Sequence, residues 1–413
     1  MKTTALRLYG SHDVRVESFE LPQIKEDEVL VKIISDSVCM SSYKAAEQGA
    51  AHKRVPDDVA ENPTILGHEF CAEVVAVGGM VTGIKQGGRT AIQPALKGTY
   101  DAAGYSFANL GGCATYGIIP AVYIEQGNIL PYEGRAAFYA SLAEPVSCVI
   151  GAVHACYHTS QGDYNHIMDI KEGGKIAILA GAGPMGLALV DYLIHRDRKP
   201  SLLVVTDIDD GRLSRAASVL SPEEAKRNGV ELRYVNPNSH LIPSTSYLLP
   251  HTFDEVFVFA PVAAVVEQAG ELLAYDGCLN FFAGPTNTEF KALFNFYDVH
   301  YNAVHLVGTS GGNTDDMREA LELAGKGRIN PAVLVTHIGG LPAARETTLN
   351  LPKIPGGKKL IYTHIDIPLT AIEDFAKLGE TDSLFAKLAM LCPNGLWNAE
   401  AEEYLLANAP KLT

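Results

Sequence analysis

KIAILAGAGPMGLALVDYLIHR, residues 175–196, decides the fold. KIAILAG reads as a short buried strand. PMGLALVDYLIHR reads as a helix opened by Pro184, whose fixed φ and missing N–H suit a first helical turn. Between them, Gly181-Ala182-Gly183-Pro184-Met185-Gly186 fits G-x-G-x-x-G in the strand–turn–helix setting that the motif requires. Gly181 allows the tight turn, Gly183 lets backbone approach a pyrophosphate, and Gly186 lets helix pack closely on strand. Pro184 and Met185 complete the turn, where the helix start offers unpaired N–H groups to phosphates. SLLVVTD follows as a second strand, and its Asp207 stands twenty-one residues after Gly186. A carboxylate there accepts hydrogen bonds from both ribose hydroxyls and repels a 2′-phosphate, so NAD(H) is expected ahead of NADP(H), which stays admissible.

Downstream, DEVFVFA reads as a strand, VAAVVEQAGELLAY as a helix, CLNFFAG as a strand after an Asp276-Gly277 turn, and HLVGTS as the last strand. Such alternation predicts an α/β, doubly wound parallel sheet with helices on both faces. Upstream, GAVHACYHTSQ reads as helical and the polar GDYNHIMDIKEGG as a loop. The first 150 or so residues read as strands and turns (KTTALRLYG, EVLVKII, EFCAEVVAVG) broken by glycines. The expected division is a mainly β catalytic domain over 1–155 and a dinucleotide-binding domain over 156–311. Residues 312–413 would return to the first domain and add a C-terminal extension. TDDMREALELAGKG is a helix by its early acids and late lysine. The last fifty residues carry no motif and are assigned to packing.

The chain has 413 residues and a net charge of −15, so a nucleic-acid backbone would be repelled. No run is long and apolar enough to span a membrane, and no signal core opens the chain, so the cytoplasm is expected. Seven cysteines at long spacings, with no C-x-x-C pair, argue against a disulfide framework.

Cys39, the run Gly67-His68-Glu69, and Glu144-Pro145 supply a thiol, an imidazole and two carboxylates. These types suit zinc with one position left open, and such an ion polarises a carbonyl or steadies an alkoxide. Taken singly, each is more often a core residue or an early-helix acid. Their order around a dinucleotide turn is what raises the set.

With these residues in hand, the chain resembles the zinc-dependent medium-chain alcohol/polyol dehydrogenases over about residues 1–365. Cys39-Met40-Ser41, GHE at 67–69, AEP at 143–145 and GAGPMG at 181–186 carry the resemblance, with NTDDMREALELAGKGRINPAVLVTH and GGKKLIYT beside them. The likeness implies a GroES-like catalytic domain, one catalytic zinc held by Cys39 and His68, and Glu69 and Glu144 in competition for the third protein ligand. Ser41 matches the hydroxyl residue of the proton relay. Within the family, KTTALRLYG, HKRVPDDVAENP, ILGHEF, EPVSCVIGA and GPMGLALVDY are similar to the L-sorbose 1-phosphate reductases. That implies reduction of the ketone of L-sorbose 1-phosphate to D-glucitol 6-phosphate. A homo-oligomer, dimer or tetramer, is likewise implied by resemblance alone.

Two departures are visible. Many relatives carry a four-cysteine structural zinc lobe soon after residue 90, whereas QPALKGTYDAAGYSFANLGGCATY holds one cysteine, so no structural zinc is expected. Many have Asp at 42 and His at 44; here Ser42 and Lys44 stand there, which unsettles the usual relay end. Lys44 and His52-Lys53-Arg54 are candidate cations for a substrate phosphate, against the plainer reading of a solvated loop. Two rival functions remain. One is a dehydrogenase of an unphosphorylated polyol or a hydroxy-amino acid, of the sorbitol or threonine dehydrogenase type. The other is a zinc-free NAD(P)-binding protein without catalysis.

Overall fold

The computed structural model describes residues 1–238 and 247–413. The stretch 239–246 of the expected cofactor domain lies outside the described residues. The chain divides into two compact units, one of Met1–Glu144, Met317–Gly327 and Val335–Thr413, the other of Pro145–Asp316 and Arg328–Leu334. Among the described residues, no helix is long and apolar enough to cross a membrane.

The first unit is mainly β. An eight-stranded sheet runs through Thr370–Ala371, Val335–Gly340, Lys358–Tyr362, Val29–Val38, Phe70–Val77, Arg89–Ile92 and Ile129–Tyr132, with Tyr116–Ile119 also paired to Val29–Val38. Val29, Val31 and Ile33 alternate inward and pack with Phe70, Ala72 and Val74 in one core. That period of two is what a half-buried antiparallel strand requires. A second core forms where Leu6 and Leu8, from the strand Lys2–Gly10, meet Ala45 and Ala46 of the helix Met40–Gln48. The strand Val29–Val38 ends one residue before Cys39, and that helix begins one residue after it.

The second unit holds six parallel strands in the order Glu231–Val235, Leu202–Thr206, Lys175–Leu179, Phe253–Val258, Leu273–Phe281 and His305–Gly308. This is the doubly wound order, which reverses direction beside the strand Lys175–Leu179. Near-continuous burial of Ile176 to Leu179 and of Leu203 to Val205 fits a sheet covered on both faces.

Three local expectations are corrected. Residues 157–168 are neither helix tail nor loop, because Tyr157–Ser160 and Asp163–Met168 pair as a hairpin around Gly162, whose φ is +81°. Every residue of Asp163–Met168 is exposed, so no apolar alternation marks it as a strand. The helix read through Tyr275 stops at Leu272, and the next strand starts at Leu273. Asp276, at φ +59°, is a kink inside that strand rather than a turn before it, and the register with Phe253–Val258 shifts there. Glu231–Val235 is a sixth strand that the sequence reading lacked. Its place at the sheet edge allows the charged Glu231 and Arg233.

Candidate metal centre and dinucleotide turn

Cys39 caps the N-terminus of the helix Met40–Gln48 in extended conformation. His68 and Glu69 sit just before the strand Phe70–Val77, on a turn that only glycine fits. Gly67 has φ +96°, and a Cβ there would lie 2.6 Å from both Asp36 Oδ2 and the amide of Cys113. Asp36 completes the turn, since its Oδ1 accepts a hydrogen bond from the Glu69 amide at 3.2 Å. Burial pushes the Asp36 carboxyl up to about 8.

Sequence-distant donors thus converge. Cys39 Sγ, a ring nitrogen of His68 and a carboxylate oxygen of Glu69 all lie within 4.8 Å of one another. His68 is 4% exposed and Glu69 0%. Soft thiolate, imidazole and carboxylate together are a donor chemistry that suits zinc. Desolvation raises the Cys39 thiol, which the neighbouring Lys358 charge partly offsets. A cation bound there would favour the thiolate outright.

The imidazole is held from both sides. Ser42 Oγ lies 3.3 Å from its Nδ1, while Ser41 Oγ lies 3.2 Å and the Tyr105 hydroxyl 3.4 Å from its Nε2. Nδ1 thus sits on a buried hydroxyl, and Nε2 meets Cys39 Sγ through the shared Ser41 hydroxyl. Ser41 Oγ also donates to Cys39 Sγ at 3.1 Å.

Glu69 and Glu144 have different surroundings. Both oxygens of Glu69 receive the ammonium of Lys358, at 2.5 and 2.7 Å. Lys358 is itself 7% exposed. Glu144 stands outside the tight donor group, on the first turn of the helix Ala143–Ala155. Its carboxyl is pushed up to about 7, by desolvation first, with opposing influences from His68 and Glu69. Lys44 lies on the helix Met40–Gln48, three residues past Ser41.

Sequence reasoning missed Lys358, Tyr105, Asp36 and the role of Ser42. Two adjacent lysines inside the apolar strand Lys358–Tyr362 were a usable signal, because a buried ammonium demands a carboxylate. Tyr105 had none. It reaches His68 because Gly104, at φ +80°, lets its backbone lie against Gly67, where a Cβ would be 2.2 Å from the Gly67 carbonyl oxygen. Tyr105 belongs to the stretch QPALKGTYDAAGYSFANLGGCATY. Cys113, the one cysteine there, is buried with its Sγ 3.2 Å from Asp36 Oδ2.

In the second unit, the three motif glycines differ in surroundings. A Cβ on Gly181 would lie 2.4 Å from Ile178 Cγ2, and one on Gly186 would lie 2.0 Å from the Gly181 carbonyl oxygen. Gly183 has nothing within 4 Å and caps the helix Pro184–His195, with Pro184 and Met185 in its first turn. Close packing at the first and third glycines and open space at the second is the pattern a pyrophosphate requires. Asp207 follows the strand Leu202–Thr206 and is 6% exposed, with Oδ1 accepting from the Asp209 amide at 3.1 Å.

Comparison with known proteins fits this pairing. Residues 25–128 match the alcohol dehydrogenase GroES-like domain. The chain is 53% identical over 413 residues to mannitol-1-phosphate 5-dehydrogenase of Aliivibrio fischeri, covering 98% of this chain and 97% of that one. It is 47% identical over 418 residues to L-sorbose 1-phosphate reductase of Klebsiella pneumoniae, covering 100% and 99%. An alcohol dehydrogenase structure from Thermotoga maritima shares the fold, with a TM-score of 0.70 over 88% of this chain and 100% of that one, at 17% identity. Identity of this extent over full length means that the chain belongs to the zinc-dependent, NAD(P)-linked medium-chain alcohol/polyol dehydrogenases.

Proposed function

We propose that the chain is a ketose-phosphate reductase that converts L-sorbose 1-phosphate to D-glucitol 6-phosphate with NADH. The observation that carries the reading is the convergence of half-buried Cys39 with buried His68 and Glu69, in a chain alike over its whole length to a sorbose phosphate reductase. Bound zinc supplies Lewis acidity to a ketone oxygen, and the reduced dinucleotide supplies the hydride. Cys39 and His68 would hold the ion, with Glu69 as third donor and Lys358 setting the direction of its carboxylate. Glu144 is the reserve carboxylate, half-buried, with its charge felt by His68 and Glu69. Ser41 holds a proton at Oγ for the substrate oxygen. Gly181, Gly183, Pro184, Met185 and Gly186 cradle the pyrophosphate, and Asp207 takes the adenosine ribose, favouring NADH over NADPH. Lys44 serves the substrate phosphate, and the active form is a homo-oligomer.

A second reading, oxidation of mannitol 1-phosphate, is favoured by the relative of that name at 53% identity. A steady-state panel separates the two, with L-sorbose 1-phosphate and NADH set against mannitol 1-phosphate and NAD, and free sorbose and sorbitol alongside. The first reading expects the highest kcat/KM for L-sorbose 1-phosphate. A higher value for mannitol 1-phosphate would replace it.

A further inference from the structure

The chain carries 48 acidic and 33 basic side chains, yet Lys44, His52, Lys53 and Arg54 crowd into eleven positions. The crowding persists in space. Gly49, at φ +55°, turns the chain where a Cβ would meet the Ser11 amide at 2.3 Å, and the short helix Gly49–Ala51 then delivers His52. The His52 ring stacks on Tyr105, with centroids 5.5 Å apart and planes 9° from parallel. The Arg54 guanidinium lies 5.7 Å from the centroid of the same Tyr105 ring, and Lys53 Nζ lies 5.9 Å from that of Tyr100. The run is also tied through its backbone, because Ser106 Oγ donates to the Arg54 carbonyl at 2.6 Å.

Among the described residues, His52, Lys53 and Arg54 form no ion pair with a carboxylate. Aromatic rings lie beside all three, and Arg54 Nη1 also donates to the Tyr100 carbonyl at 3.3 Å. Burial first, and then the charges of Arg54, Lys53 and Lys44, all of one sign, lower the His52 pKa. Concentrated like charge on an ordered surface is an electrostatic cost that an anion relieves. This cluster stands one tyrosine ring from the metal donors, since the Tyr105 hydroxyl reaches His68 Nε2 at 3.4 Å.

We infer that His52, Lys53 and Arg54, with Lys44, form the subsite that binds the phosphate monoester of the substrate. The inference rests on the sugar-phosphate reading above. The loop that follows the Cys39 helix then has one task, the choice of a phosphorylated substrate.

The test uses the purified full chain with zinc, and the variants Arg54→Ala and Lys53→Ala. Two quantities are read: the ratio of kcat/KM for L-sorbose 1-phosphate to that for L-sorbose, and the inhibition constant of inorganic phosphate. Each variant is expected to lower the ratio about 10- to 100-fold, the worth of a lost charge-assisted hydrogen bond, and to weaken phosphate inhibition in step. Lys53 is exposed, so its variant keeps the test open should Arg54→Ala fold poorly. Wild type that favours the phosphorylated sugar beside variants that keep the same ratio overturns this subsite and spares the reading of the reaction. Wild type that turns over both sugars equally overturns the sugar-phosphate reading itself.

Discussion

Lys358 sits in a strand whose five residues are all buried, with its ammonium against both oxygens of Glu69. Lys358→Met keeps the stem and removes the charge, which leaves a buried carboxylate unpaired. Breaking one side of such a pair costs about 3–5 kcal/mol. Urea unfolding of the metal-free protein should show that loss, and adding Glu69→Leu should recover most of it. An unchanged midpoint in the single variant would remove Lys358 from the site. Cys39, His68 and Glu69 could be named as candidate donors from sequence because few residue types can ligate zinc and their order around the glycine turn is uncommon. Their convergence in space was not legible, and neither were the different surroundings of the two carboxylates. Those depend on Gly67 packing against Asp36 and on a lysine 289 positions from its partner.

At the scale of elements, the C-terminal extension has a task that its sequence did not announce. Glu402, on the helix Ala399–Asn408, accepts hydrogen bonds from the amides of Ala137 and Phe138 at 2.6 and 2.9 Å, and from the Tyr362 hydroxyl at 2.9 Å. Trp397 Nε1 donates to that same hydroxyl at 2.7 Å. One carboxyl therefore fixes the end of the strand that carries Lys358 and the start of the helix Ala137–Ser141, which lies just ahead of Glu144. Burial pushes Glu402 from its ordinary 4.5 up to about 7. Between those values the folded chain holds a proton that the unfolded chain has released. Its contribution to stability is therefore full below about pH 4.5 and is lost as pH rises through 7. Glu402→Gln should flatten this part of the pH dependence, read as urea midpoints at pH 5 and 7.5 for both proteins. Asp36, raised in the same direction, stays in both and cancels in the comparison. An equal pH slope in the variant would mean that Glu402 does not titrate in this range. The extension escaped sequence reading because a cap made across 265 positions leaves no local pattern. The hairpin at 157–168 escaped for the opposite reason, since its outer strand buries nothing and so carries no period.

At the scale of the whole molecule, the two units divide the chemistry between them. All of Cys39, His68, Glu69, Glu144 and Lys358 fall in one unit, and the whole Gly181–Gly186 turn and Asp207 fall in the other. The doubly wound unit was legible because strand–helix alternation repeats its signal several times over, so a missed edge strand did not hide the fold. The same division makes metal removal informative. Dialysis against a chelator should abolish turnover, while NADH binding, followed by nicotinamide fluorescence, keeps its Kd within about twofold, because none of the dinucleotide turn is a metal donor. Stability should fall as well, since a metal held at 100 times its Kd stabilises the fold by about 2.7 kcal/mol. Adding back zinc should restore both activity and melting temperature in proportion to occupancy. Full activity in the metal-free chain would remove Cys39, His68 and Glu69 from catalysis. Loss of NADH binding along with the metal would show that the dinucleotide turn depends on the ion.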